Sequence, residues 1–395
     1  MSRKRIIVIT PRFPYPVIGG DKLRIYNICK SLSKKFDMVL VSLCDEKSQL
    51  SYTPPDDNVF NEIHKIYHPS WKSKINTALS IFSSKPLQVA YYKSLALDKK
   101  LKGIVQKDDI LLPHLVRTTE YAFKFDNIVI AELTDSIAMN YSRIAKSNGS
   151  KTLKERIFAY EYKKLKKYEA YVTEKSDVVS LISSVDCEFI PTKEEDKCKF
   201  VVANNGVDFD NMPYIYEWKN RAEKVICFIG NMHTVQNLDA VRWFLDNVMP
   251  RLGHEYTFKI IGKILDKDKL LFERYDRVYV TGMVDSIEDN LHDVDVAVCP
   301  MRLGAGVQNK ILEYMAYGIP SVVSNLGAEG IGNGKEEIFL KANSVDEYIH
   351  EINKIVADRS YAVDISKKAR DFIELNHNWC SSLKPLLHKI QGVTK

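Results

Sequence analysis

Apolar residues in this chain come in short runs, and the runs alternate with stretches of helical spacing. Strand-like runs lie at 5–10, 38–43, 62–67, 109–112, 127–132, 178–182 and 199–204. Helical spacing falls at 23–34, 98–105, 153–175 and 184–189. The series restarts at Lys224, with strands at 225–229, 257–261, 278–281, 294–300, 321–324 and 337–340. Helices are expected there at 237–251, 287–292, 307–317, 346–356 and 361–375, with a last one at 382–390. Strands alternating with helices imply parallel sheets. Turn chemistry at Asn205-Gly206-Val207-Asp208 and a patternless 210–219 place a linker between the two series. The expected organisation is therefore an α/β unit over 1–208, a second over 209–375, and a C-terminal piece over 376–395. Two similar α/β units imply a cleft between two sheets, where a ligand is held by both.

The segment C-P-M-R-L-G-A-G-V-Q-N-K-I-L-E-Y-M-A-Y-G-I-P from Cys299 carries the clearest chemistry. A strand runs into a glycine-bearing loop, the loop opens a helix, and Gly318-Ile319-Pro320 stops it. Free amides and the helix dipole both favour an anion at such a point. Gly304, Ala305, Gly306 and Val307 are thus candidates for seating a diphosphate. Glu313, about two turns into the helix, is placed to accept hydrogen bonds from sugar or ribose hydroxyls. Lys310 shares a helix face with Glu313, and Arg302 lies just before the loop. Either can supply positive charge. One loop–helix unit thus offers a diphosphate seat and a polyol clamp, which suits a nucleotide-sugar. Gly230 and Asn231, after the strand at 225–229, are further donor-side candidates; Gly262 and Gly282 also end strands.

In the first half, the strand at 5–10 ends in a proline-stiffened loop that reaches Gly19-Gly20-Asp21 just before a helix. Paired glycines permit φ > 0 and close backbone approach. Gly19 and Gly20 read either as a ligand-binding turn at the carboxyl edge of the sheet or as a tight turn with Asp21 as N-cap. Arg24, one turn on, reads equally as a phosphate contact or a surface arginine. His114 and Arg117 follow the fourth strand, and Asp135 follows the fifth. His114 reads either as a structural histidine or as a chemical group that titrates near neutral pH. Asp135 either orients an acceptor hydroxyl or caps the following turn.

Composition narrows the class. Of 395 residues, 45% are hydrophobic and 27% charged, as in ordinary globular proteins. No run of about 18 apolar residues suggests a membrane span. The apolar run at 6–9 breaks at Pro11, too short for a signal peptide, and reads as a first strand. Seven scattered cysteines form no C-x-x-C pair, which fits free thiols in a reducing cytosol rather than zinc or a disulfide frame. The net charge of +6 gathers at 151–175, an amphipathic helix with a basic outer face. That face is either solvated or rests on an anionic membrane surface. Nucleic acid is disfavoured because no recognition module accompanies the charge.

Taken together, these residues resemble the retaining, metal-independent glycosyltransferases of GT-B fold in glycosyltransferase family 4, the group 1 transferases. The likeness is greatest to the polysaccharide-assembly branch. The matching pieces are P-R-F-P-Y-P-V-I-G-G-D-K-L-R from Pro11, R-T-T-E-Y from Arg117, L-T-D-S around Asp135, N-G-V-D from Asn205, G-N-M-H-T-V-Q-N-L-D-A-V-R-W-F from Gly230 and G-A-G-V-Q-N-K-I-L-E-Y-M-A-Y-G-I-P from Gly304. The resemblance implies two Rossmann-like domains, with the acceptor handled mainly by the first and the nucleotide-sugar by the second. It also implies a final helix that crosses back to the first domain. Glu313 matches the second glutamate of the family's paired-glutamate motif, which holds the ribose. Ala305 stands where the first glutamate contacts the donor sugar. The basic pair that usually steadies the diphosphate after the Gly230 strand is replaced by Asn231 or Met232 and by Asn237.

The expected activity is transfer of a hexosyl group from a nucleotide-diphosphate-sugar to a glycan or lipid-linked acceptor in cell-surface polysaccharide synthesis. No cofactor and no metal is expected. The expected setting is cytoplasmic, either free in solution or associated with the inner face of the membrane. His114, Arg117, Asp135 and Lys310 are the catalytic candidates, the first three positioning the acceptor. A GT-B nucleotide-sugar epimerase or hydrolase, or a non-catalytic GT-B partner subunit, are the rival readings. A dehydrogenase is disfavoured because the 304–309 loop lacks the third glycine of the dinucleotide fingerprint.

Overall fold

The computed structural model describes residues 3–17, 19–147, 153–304, 306–332 and 337–394. The chain forms two compact units, Met1–Asn204 with Ser382–Lys395, and Asn205–Ser381.

The first unit is built on seven parallel strands: β1 (Arg5–Thr10), β2 (Asp37–Cys44), β3 (Glu62–Tyr67), β4 (Ile110–Pro113), β5 (Ile128–Thr134), β6 (Val178–Leu181) and β7 (Phe200–Val202). Their order is β3-β2-β1-β4-β5-β6-β7. The inner strands are apolar almost throughout because helices cover both sheet faces. Flanking helices include α1 (Gly20–Leu32), α2 (Ser70–Leu79), α3 (Ile137–Ser147) and α4 (Leu153–Lys175). The order reverses between β1 and β4, so the loops leaving those strands open the crevice where α/β sheets take ligands.

The second unit carries β8 (Lys224–Ile229), β9 (Tyr256–Ile261), β10 (Val278–Gly282), β11 (Val296–Cys299), β12 (Ser321–Val323) and β13 (Leu340–Lys341). They form a parallel sheet in the order β10-β9-β8-β11-β12-β13. Its helices include α5 (Val235–Asn247), α6 (Asn309–Tyr317), α7 (Val345–Ala357) and α8 (Arg359–Asn376). The switch point here lies between β8 and β11, which puts Gly230 and the 300–308 loop at the two lips of one crevice. The last helix, α9 (Lys384–Val393), packs on β6 and β7 of the first unit.

Three expectations are corrected. The helix expected at 287–292 is a single 3-10 turn, Glu288–Asn290. Ser286 caps the turn, its hydroxyl accepting from the Asp289 amide at 3.1 Å, but the Asn290 side chain folds back onto the Ser286 carbonyl at 2.9 Å. The asparagine bond takes the carbonyl that the next helical amide would use, and such local bonds compete with helix propagation. The helix expected from 307 starts at Asn309, because Gly304 and Gly306 have φ of 131° and 68° and Gln308 is extended. Helices α2 and α3 are not anticipated from the sequence; Ser136 starts α3 by accepting the Met139 amide at 3.1 Å. The expected stop at Gly318 is a left-handed cap, with the Ile319 amide bonded to the Tyr314 carbonyl at 2.8 Å.

Candidate functional site

In the second unit the site grows out of two loops. Gly230 ends β8 and its amide donates to the Ile261 carbonyl at 2.9 Å. Gly262, at φ 131°, lies so close that a Cβ there would meet the Gly230 oxygen at 2.2 Å. Only glycine allows that approach. Asn231 is exposed, and its carbonyl accepts from the Asn237 side-chain amide at 3.0 Å. Asn237 stands in the first turn of α5 and offers its side-chain oxygen to Lys310 Nζ, again at 3.0 Å. One asparagine thus ties the β8 loop to α6.

Lys310 is buried. Its ammonium also donates to the Gln308 side-chain oxygen at 3.3 Å and lies 5.1 Å from the centre of the Phe228 ring. All of these partners are neutral. Burial lowers its pKa, opposed by Cys299 and by Glu313. Glu313 is half-buried and, among the described residues, makes no hydrogen bond or close ion pair. Burial pushes its carboxyl up to about 7 although Lys310 pulls it down. Ahead of the helix, the amides of Val307 and Gln308 find no acceptor among the described residues. Gly304, Gln308, Gln236 and Met301 surround the turn: a Cβ on Gly304 would sit 3.7 to 3.9 Å from the other three. Ala305 lies outside the described residues.

The structure therefore ties Asn231, next to Gly230, to Lys310 through Asn237, and it carries Gly304, Gly306, Val307 and Glu313 on the same loop and helix as Lys310, beside the switch point of the sheet. Arg302 stands apart. It forms a two-pronged ion pair with Asp239, at 2.7 and 3.1 Å, and its guanidinium lies 5.9 Å from the Trp243 ring centre. Its charge is answered by a carboxylate, whereas Lys310, the other cation expected at this loop, forms no ion pair among the described residues.

In the first unit the carboxyl ends of β1, β4 and β5 meet at a buried triad. Arg24, fully buried, donates through Nε to Glu132 at 2.6 Å and through a terminal nitrogen to the Ala203 carbonyl at 2.8 Å. Both readings of Arg24, phosphate contact and surface arginine, are corrected by this. The other Glu132 oxygen meets His114 Nδ1 at 2.5 Å. Burial alone would raise the Glu132 carboxyl, but Arg24 and His114 outweigh it and hold it down at about 2. The carboxylate holds the imidazole through Nδ1, and His114 lines a small crevice with Arg12, Asp21 and Lys22. Leu115 and Thr134, beside the pair, have φ of 64° and 67°. Such backbone costs about 1–3 kcal/mol each and clusters at functional sites.

Gly19, at φ 99°, precedes α1, and Gly20 is its first residue. Asp21 does not cap; it stands within the first turn and reaches Arg12 at 3.5 Å. Arg117 donates to Gln88 at 2.9 Å and lies 5.5 Å from the Tyr92 ring centre. It lines a cavity of about 380 Å³ with Arg12, Gln88, Tyr92 and Tyr141. Asp135 is half-buried, and its carboxylate faces its own backbone amide, with no side-chain partner among the described residues. The turn it was offered as capping is capped by Ser136 instead. Burial and the neighbouring Asp186 push Asp135 up to about 7, against Arg117. The residue missed in the first unit is Glu132. Its signal was a carboxylate at the end of an apolar strand, which burial forces to find a cation.

Residues 223–358, from β8 to the end of α7, match the family model described as glycosyl transferases group 1. The chain is 26% identical over 229 residues to an uncharacterized glycosyltransferase of Methanocaldococcus jannaschii, an alignment covering 54% of this chain and 58% of that protein. The chain thus spans somewhat over half the length of that relative. It is 22% identical to an uncharacterized 44.6 kDa protein in the cps region of Klebsiella pneumoniae, over 95% of this chain and 96% of that one. Among solved structures it is similar to Alr3699/HepE of Anabaena in complex with UDP and glucose. That likeness has a TM-score of 0.67 and 11% identity, covering 98% of this chain and 99% of the other. These likenesses support a glycosyltransferase. The fold, two Rossmann-like α/β units on parallel sheets, is the one expected for GT-B.

Proposed function

We propose that the chain transfers a hexosyl group from a nucleotide-diphosphate-sugar to a glycan or lipid-linked acceptor, with retention at the anomeric carbon. The observation that carries this is Lys310: a buried ammonium held by Asn237 and Gln308 that forms no ion pair among the described residues and feels Glu313 only at a distance. Such a charge is costly when the site is empty. A diphosphate beside it removes the cost. The amides of Val307 and Gln308 add donors at the helix N-terminus, and Glu313 takes the ribose hydroxyls. As the glycosidic bond breaks, negative charge grows on the diphosphate, and these donors are already in place to stabilise it. Their charge takes the part a metal plays elsewhere, so the reaction is proposed to run without one. His114, aimed by Glu132, and Asp135, with Arg117 near it, position the acceptor. Similarity to a protein solved with UDP and glucose, and to one from a cps region, supports a uridine nucleotide and a polysaccharide product.

The test is thermal denaturation with UDP, GDP, ADP and their sugars, because a ligand that binds the native state raises its melting point. UDP and a UDP-sugar are expected to raise it, with EDTA present. No shift with any of the nucleotides overturns the reading.

A further inference from the structure

Helix α2 has two unlike sides. Ser73 is buried and Thr77 borders the Arg117 cavity. Trp71, Ile75 and Leu79, spaced by four and so stacked on one stripe, are 57%, 50% and 80% exposed. The chain then turns through Ile81 to Phe82, which is 97% exposed. Leaving a phenylalanine ring and a leucine in water is unfavourable, and a contiguous patch of this kind marks a contact site. The tip is not loose. The Ile81 carbonyl is held by Tyr160 at 3.3 Å and by Lys164 at 3.1 Å, both from α4. Ile157 and Tyr160 of α4, about half exposed, extend the same surface.

Charge identifies the occupant. From Ile63 to Leu97 the chain has no aspartate or glutamate, while Lys72 and Lys74 stand exposed on α2. Arg156, Lys163 and Lys167 are exposed on α4. A twofold contact between copies would set these cations against themselves. An apolar tip ringed by lysines, with a tryptophan at its base, matches the layering of an anionic bilayer: acyl boundary, then headgroups.

We infer that α2 and the turn to Phe82 dock this protein on anionic membranes, with Trp71, Ile75, Leu79 and Phe82 in the acyl boundary and Lys72 and Lys74 among the headgroups. The contact is made by α2 and its tip, while the basic face of α4 adds charge beside it. Helix α2 also borders the cavity of Arg117, so docking would bring a lipid-linked acceptor to the residues proposed to position it. That purpose rests on the proposed function; the docking itself does not.

The experiment is sedimentation of the full chain with vesicles of phosphatidylcholine, and of phosphatidylcholine mixed with phosphatidylglycerol, with brominated lipid as a quencher of tryptophan fluorescence. The mixed vesicles are expected to bind, with quenching that Trp71→Phe removes. Leu79→Ser with Phe82→Ser should weaken binding at least about tenfold, and Lys72→Glu with Lys74→Glu by about tenfold at low salt. Both pairs are exposed, so melting temperature and any shift with UDP should hold. The inference is overturned if mixed vesicles do not bind, if Leu79→Ser with Phe82→Ser leaves binding intact, or if the patch instead drives a dimer that Phe82→Ser dissociates. Vesicle failure with a retained UDP shift sinks the docking alone. Vesicle binding without any nucleotide shift sinks the proposed activity alone.

Discussion

Arg24 and Lys310 are both buried cations at the carboxyl edge of a parallel sheet, one in each unit, yet their surroundings differ in kind. Arg24 has a carboxylate at 2.6 Å, and that carboxylate has a histidine on its other oxygen. Every charge in the group is answered within the protein. Lys310 has amide oxygens and a ring, and the nearby Glu313 carboxylate is neither bonded to it nor to anything else described. A saturated group of buried charges holds the fold and aims a side chain. An unsaturated one stores a cost that a ligand of opposite charge relieves. On this difference we propose a structural part for Arg24 and a ligand-binding part for Lys310.

The largest expected effect is on the saturated side. Glu132→Gln leaves Arg24 buried without its counter-charge and should cost about 3–5 kcal/mol of stability, read as a large fall in melting temperature. The wild-type pH profile checks the same point. The Glu132 carboxyl is lowered from 4.5 to about 2 in the folded protein. Its stabilising contribution is therefore complete above pH 4.5 and is lost as pH falls toward 2. Acid unfolding of Glu132→Gln should lack that component.

Next is Lys310→Met. It should abolish most nucleotide binding, with a loss of about a hundredfold or more for a charge-assisted diphosphate contact. The melting temperature of the empty protein should stay or rise, since an unanswered buried ammonium has been removed. A stability loss like that of Glu132→Gln would erase the contrast between the two cations.

Glu313 gives a smaller, pH-shaped effect. Its carboxyl, near 7 in the empty site, must be ionised to accept two ribose hydroxyls. UDP affinity should therefore climb as pH rises through 7 and level off above it. Titration calorimetry should show protons released on binding at pH 6.5. Glu313→Gln should flatten the profile and lower affinity about tenfold, as for a charged hydrogen bond.

Arg302→Ala should do least. Its partner is Asp239 in a half-exposed pair, and such pairs contribute about 0–1 kcal/mol. Nucleotide affinity should change by less than about threefold, a shift under roughly 0.7 kcal/mol. A hundredfold loss would show that Arg302 leaves Asp239 for the diphosphate.

What was readable in the chain divides along the same line. Strands with apolar runs, such as β1 and β8, were located to within a residue, because a strand buried on both faces needs little beyond its own composition. The glycines of the 304–306 turn and the stop at Gly318 were legible because left-handed backbone selects glycine. Helix α3 was not: its cap, Ser136, follows an aspartate that looked equally suited. Neither were the pairings. Arg24 meets Glu132 across 108 residues and Lys310 meets Asn237 across 73. Local spacing put Lys310 and Glu313 on one helix face, but only tertiary packing turns the ammonium toward Asn237.

The central claim is that Lys310 is kept unpaired for a diphosphate. The most direct measurement is the melting temperature of wild type and Lys310→Met, each with and without UDP. The account predicts a shift in the wild type only, on an apo variant at least as stable. An equal UDP shift in both proteins contradicts it.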